Sequence, residues 1–138
     1  MTAPASQADE RHVLDFLHAH VRAIAGGDWG AYAATTSPEL TLYEHFVTPH
    51  RQVGLDFHRF MIEHHWATGG PGRAHHVSVL EPMVQFLAGG AVAVVSYTLM
   101  VSVAGEAGVT HRSTNETRVL ERWEDTWRVV HVHKSPAA

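Results

Sequence analysis

The sequence predicts an α+β domain in which helices cover one face of a curved antiparallel sheet. Three observations carry that expectation. The N-terminal third has apolar residues at helical spacing, ended by Gly26-Gly27. The C-terminal half alternates with period two and is cut by short turns. The last stretch, Asn115 to Ser135, holds two strand-like runs rich in Val, Leu and Trp around Asp125-Thr126, which is hairpin chemistry. Helices followed by a run of strands is an α+β order, and a concave sheet face roofed by helices makes a natural pocket.

The first helix is expected over Asp9 to Ala25. Val13, Phe16, Leu17, His20, Val21 and Ile24 form its stripe, and Ser6 or Asp9 caps its start. His20 reads as a helix residue at the edge of the core. A second short helix starts at Asp28, with Trp29, Tyr32 and Ala33 inward. It stops at Thr36-Ser37-Pro38, because proline disfavours helix in the residue before it. Glu39 to Phe46 reads as a strand on which Glu44 shares a side with Leu42 and Phe46. Two readings of Glu44 stay open: a strand end in water, or a carboxylate in a cavity. Val47 to Gly54 reads as a loop.

The third helix is expected over Leu55 to Ala67. Phe57, Phe60 and Met61 lie on one side of it, and Ile62 and Trp66 near another. Thr68 to Gly72 is a loop. Arg73 to Leu87 is a strand with a bend or edge at Pro82. Ala91 to Val103 is nearly all apolar and should be central, covered on both faces. Val109 to Trp123 and Trp127 to Lys134 complete the sheet. Strict alternation puts Arg118, Leu120 and Arg122 on one face of the first hairpin strand. On the second it puts Val130, Val132 and Lys134 opposite Val129, His131 and His133.

Composition narrows the function classes. A chain of 138 residues suffices for one domain with a core, expected over 1–138. The formal net charge of -4 argues against a nucleic-acid partner, which would show a basic face. No apolar run reaches the ~20 residues of a membrane span, and the N-terminus has no signal-peptide pattern. With no cysteine, disulfides and thiolate sites are excluded, and a cytoplasmic location is expected. Thirteen histidines make the net charge change steeply below about pH 7. His64-His65 and His75-His76 bring a metal to mind. Neighbours on a helix or strand do not face each other, and no H-E-x-x-H motif is present, so no metal site is expected.

Several runs together resemble one family. They are G-G-D-W-G-A-Y (Gly26 to Tyr32), S-P-E-L-T (Ser37 to Thr41), D-F-H-R-F (Asp56 to Phe60), E-T-R-V (Glu116 to Val119) and V-H-V-H-K-S (Val130 to Ser135). In this order they resemble the association, or hub, domain of calcium/calmodulin-dependent protein kinase II, across nearly the whole chain. E-T-R-V alone would be a weak signal; several runs in register are a strong one. The resemblance implies the cone-shaped α+β fold of the nuclear transport factor 2-like (SnoaL-like) superfamily, with three N-terminal helices over the sheet and an enclosed pocket. It implies a homodimer or larger ring, and a stand-alone, bacterial-style relative without its kinase. It also implies a pocket for a small carboxylate- or carbonyl-bearing molecule.

Carried over by position, that pocket falls on His58, Trp66, Arg118 and Lys134, with Thr98 where the family has a third arginine. Lysine at 134 in place of arginine keeps the charge but loses the planar fork, and Thr98 drops a charge. The pocket is therefore expected to be less positive than the family's. The superfamily also contains cofactor-independent isomerases, cyclases and hydrolases. The second reading is such an enzyme, working on a hydrophobic metabolite by general acid–base chemistry, with His58, Glu44, Tyr43 and Glu116 as candidates. No cofactor is expected in either reading. Beside these stand plainer roles: Arg118 paired with Glu116 or Glu121, His58 a hydrogen-bonded core histidine, His131 and His133 in a subunit interface, and Trp123 and Trp127 as packing residues.

Overall fold

The computed structural model describes residues 7–64 and 75–137. Helix α1 spans Gln7–Ala25 and buries Val13, Leu17, His20 and Val21 along one stripe. Asp9 and Glu10 lie in its first turn, where acids complement the helix dipole. It ends as the sequence predicts: the Gly26 and Gly27 N–H groups donate to Arg22 and Ile24, and Gly27 takes the left-handed φ of 70° that glycine tolerates. Asp28 then caps α2, Trp29–Ala34, accepting from the Ala31 N–H at 3.1 Å. Helix α3 is described over Asp56–His64. Its expected continuation to Ala67, with His65 and Trp66, lies outside the described residues, as does the Ser6 cap.

Six strands follow or interleave with the helices: β1 Thr36–Glu44, β2 Thr48–Val53, β3 His75–Leu87, β4 Val92–Gly105, β5 Gly108–Trp123 and β6 Thr126–Pro136. They form one sheet in the order β2-β1-β6-β5-β4-β3. All neighbours are antiparallel except β1 and β6, which are parallel. The strand β2 occupies a stretch expected to be a loop. Its residues are mostly exposed and polar, as an edge strand allows, and it is held by pairing to β1 rather than by burial.

The hairpin turn is Glu124-Asp125, one residue earlier than expected, with Glu124 in the left-handed region at φ 56°. Strict alternation fails on β6. Val119 pairs with His131 and Leu120 with Val129, so Val130 is an extra residue, a β-bulge. Trp127 and Val129 therefore face inward together with Val132 and Lys134, and Val130 does not share their side. A second bulge breaks the β3–β4 register between Leu80 and Met83, at the bend expected from Pro82.

The core lies between α1 and the inner face of the sheet. It is built from Val13, Leu17 and Val21 against Leu40, Leu42, Ala93, Val95, Leu120, Trp127, Val129 and Val132. The expectation that β4 is covered on both faces does not hold within one chain. Ala93, Val95 and Tyr97 are buried, while Val94, Ser96, Thr98 and Met100 on the outer side are only half-buried. The helices pack on the inner side, and the outer side of the strands stays open among the described residues.

Candidate functional site

At one end of the inner face the apolar pattern gives way to ionisable groups. Strand register places them in a single cross-strand row: Glu44 beside Lys134, Lys134 beside Glu116, and Glu116 beside Tyr97. Arg118 stands in the next row, between Val132 and Val95. All five are buried, as is His58, brought over the row by α3. The cluster is thus a product of period-two alternation on four strands plus one helix position.

The charges within it are balanced. Lys134 Nζ lies 2.8 Å from Glu44 Oε2. Arg118 pairs through Nη1 with Glu116 Oε1 and also donates to the Tyr97 hydroxyl. Tyr97 donates to Glu116 Oε1 at 2.8 Å and Thr114 to Oε2 at 2.7 Å. The Arg118 Nε and Nη2 atoms, fully buried, have no partner among the described residues. These two N–H groups form the side-on edge of a guanidinium, the fork that grips a carboxylate at two points.

Tyr32 and His58 form the roof of the cluster. The Tyr32 hydroxyl bonds His58 Nδ1, and His58 Nε2 lies 3.6 Å from Glu44 Oε1. Burial pushes the Tyr32 phenol above its ordinary value, so it is protonated and donates to Nδ1, leaving the Nε2–H toward Glu44. His20 sits next to Tyr32, with ring centroids 5.0 Å apart, and donates from Nδ1 to Thr35 Oγ1 at 2.8 Å. Its Nε2 is buried with no partner among the described residues.

The environment sets each protonation state. Burial alone would raise the Glu44 carboxyl, but the Lys134 ammonium and His58 outweigh it and hold it down to about 2. Glu116 is also held below its ordinary value, with Lys134 and then Arg118 overcoming the burial that opposes them. Burial lowers His58 against the pull of Glu44, with Lys134 and Arg118 adding to it. Burial and the Arg118 charge lower His20 further. Among the described residues the resting cluster therefore holds two cations, two carboxylates and two neutral imidazoles.

Of the residues singled out from sequence, the structure brings His58, Arg118, Lys134, Glu44 and Glu116 together. Glu44 is buried against Lys134 and does not lie at a strand end in water. The other two described candidates lie elsewhere. Tyr43 faces outward beside His133, with ring centroids 5.3 Å apart. Thr98 alternates to the outer side and donates to Asn115 at 2.7 Å; the inner-face neighbour of Glu116 is Tyr97 instead. Trp66 lies outside the described residues. Sequence reasoning missed Tyr32, Tyr97 and His20 as members of the cluster. A signal existed for each: a tyrosine on an inward helix position needs a hydroxyl partner, Tyr97 is in phase with Ala93 and Val95, and His20 is in phase with Leu17 and Val21.

A groove of about 320 Å³ opens elsewhere, over Ser96, Thr98, Asn115, Thr117, His133 and Ser135 of the outer face. It reaches Tyr97 and Glu116, but His58, Arg118 and Lys134 do not line it. No group of three or more His, Asp or Glu among the described residues could hold a metal ion. No described helix is long and apolar enough to cross a membrane.

Comparison with known proteins identifies the family. The model of the calcium/calmodulin dependent protein kinase II association domain matches residues 9–138, and the chain belongs to that family. It is 28% identical over 134 residues to the calcium/calmodulin-dependent protein kinase type II alpha chain of Drosophila melanogaster, covering 96% of this chain and 25% of that protein. The chain spans about a quarter of the length of the curated relatives it matches. Among solved structures it is similar to the CamKII hub homology domain of Chlamydamonas reinhardtii, with a TM-score of 0.83, 27% identity, and 94% of this chain and 98% of that one covered. A nuclear transport factor 2-like superfamily protein from Salmonella enterica superposes with a TM-score of 0.70 at 17% identity, over 97% of this chain and 94% of that one. The fold is the α+β nuclear transport factor 2-like fold, with N-terminal helices on a six-stranded, mostly antiparallel sheet.

Proposed function

We propose that this chain is a self-associating assembly domain, one domain over residues 1–138, working as a homodimer or a larger ring in the cytoplasm. The observation that carries the reading is the open outer face of the sheet. Val94, Val119 and His131 stand side by side in one cross-strand row, and none is buried. Leu80, Met83 and Leu87 add exposed apolar surface along β3. A sheet with one face roofed and the other half-apolar gains by burying the second face against a copy of itself. Family membership supports the same reading.

Sedimentation or light scattering at micromolar concentration tests it. A mass that is a multiple of 15.2 kDa is expected. Val94→Glu, on the outer side of β4, should return it to the monomer without loss of circular dichroism. A wild-type species of 15.2 kDa alone would sink the proposal.

A second reading concerns the buried cluster: a site for a small carboxylate- or carbonyl-bearing molecule. It is favoured by one specific observation, the Nε and Nη2 edge of Arg118, which has no partner among the described residues. A buried guanidinium edge without acceptors is costly, and an oxygen-bearing ligand relieves the cost. Arg118→Lys should weaken binding of short carboxylic acids by tenfold or more, on the order of 1.4 kcal/mol, because lysine lacks the fork. Equal binding by wild type and this variant would remove the site.

A further inference from the structure

The charge balance of the cluster carries a consequence for how such a ligand enters, and it rests on the ligand reading above. Lys134 stands beside both Glu44 and Glu116, and Arg118 is paired with Glu116. Among the described residues the two cations are therefore matched by two carboxylates of the chain itself. An anion seated on the Nε–Nη2 edge of Arg118 adds a negative charge to a buried site whose described charges already cancel. Burying an uncompensated charge is expensive, and the usual escape is a change of protonation. Glu44 and Glu116 take up a proton only by breaking their ion pairs. The neutral imidazole of His58 does not.

We propose that a small monocarboxylate enters the cluster together with one proton from solvent, the carboxylate on the Nε–Nη2 edge of Arg118 and the proton on His58.

The geometry supplies a route for that proton. The Tyr32 O–H donates to His58 Nδ1, and the Nε2–H points toward Glu44. The lone pair at Nδ1 is where a second proton binds. Once it is there, Nδ1–H donates to the Tyr32 oxygen, and the Tyr32 hydroxyl hydrogen is released to turn toward a new acceptor. The imidazolium then lies between the Glu44 carboxylate and the phenol, and the added anion and the added proton cancel. Among the described residues, the charged or titratable groups that share this balance are His20 from α1, Tyr32 from α2, Glu44 from β1, Tyr97 from β4, Arg118 and Glu116 from β5, and Lys134 from β6. Of the two neutral imidazoles, His58 has the Glu44 carboxylate 3.6 Å from its ring to balance an added proton, whereas the charged neighbours of His20 are Arg118 and Lys134, which oppose one.

The test is calorimetric titration of propionate into the whole chain, between about pH 6 and 8, in buffers of different ionisation enthalpy. Uptake of close to one proton is expected, with affinity rising by up to about tenfold for each unit the pH falls. His58→Gln, which can accept from Tyr32 and donate to Glu44 but cannot become charged, should bind propionate more weakly and take up no proton. Ring NMR signals of His58 in the wild type give an independent reading: they should move to the imidazolium position as propionate is added. Binding with no proton uptake and no pH dependence overturns this inference and leaves the ligand reading standing. Proton uptake that persists in His58→Gln, or His58 signals that do not move, places the proton elsewhere and overturns it too. Absence of any binding overturns both.

Discussion

The inner face of the sheet has two ends, and the same four strands build both. On β1, Leu40 and Leu42 lead to Glu44; on β4, Ala93 and Val95 lead to Tyr97. On β5, Leu120 leads to Arg118 and Glu116; on β6, Val129 and Val132 lead to Lys134. Every one of these side chains is buried. The apolar end stabilises the fold, because each aliphatic side chain removed from water contributes about 1.5–3 kcal/mol. The ionisable end does the reverse: its charges give up solvation that ion pairing only roughly restores. A fold that places both on one face has an aliphatic end that stabilises it and an ionisable end that does not.

Breaking the ionisable end from one side should have the largest effect. Glu116→Ala leaves Arg118 charged, fully buried and without its carboxylate, so a loss of about 3–5 kcal/mol is expected in urea denaturation. A midpoint unchanged from wild type would mean that Arg118 is in contact with solvent. At the apolar end, Leu42→Ala should cost about 2–5 kcal/mol by opening a cavity, with no dependence on pH.

Acidification discriminates the two ends without a mutation. His58 and His20 have folded values below the ~6.5 of a free histidine. The unfolded chain therefore binds protons that the folded chain does not, so the stability these groups lend is complete above about pH 6.5 and falls as the pH drops below it. Glu44, held down to about 2, acts in the same direction but only below the ordinary carboxylate range near ~4.3. Thermal melts between about pH 7 and 5 should show lower melting temperatures in acid. His58→Gln should flatten the slope. The outer face has its own titration: burial lowers His131, with His133 adding and the Thr41 contact opposing. If a partner copy covers it, dissociation should accompany the fall in pH, and an assembly mass constant from about pH 7 to 5 would argue against that.

Two smaller effects sharpen the contrast. Replacing both members of a buried pair, Glu44→Leu with Lys134→Met, should leave stability at or above wild type, since no charge is left unpaired. Either single change should be clearly worse than the double, which a double-mutant cycle measures. On the surface, Arg59 and Glu63 are one helical turn apart on α3 and 2.5 Å from each other, but exposed. Glu63→Gln there should cost no more than about 0.5 kcal/mol.

Periodicity in the chain decided the local pieces. The stripe of α1, the Asp28 cap, the bend at Pro82 and the alternation of β4 and β5 all follow from backbone geometry acting over a few residues. Motif order along the chain pointed to His58, Arg118 and Lys134 as neighbours. What lay beyond local reading was set by contacts between distant segments. The pairing of β1 with β6, parallel and across about ninety residues, puts Glu44 against Lys134. A bulge at Val130 brings Lys134 and Val129 to the same face although strict alternation separates them. The exposed stretch 48–53 is a strand only because β1 offers it an edge. Charge balance in the cluster belongs to the same class. A pairing of Arg118 with Glu116 was already open in the sequence, but only the register across three strands shows that Lys134 stands between Glu44 and Glu116. Alternation along a strand is a property of one backbone, whereas the partner across a row depends on which strand arrives there and on how many residues each has used to reach it.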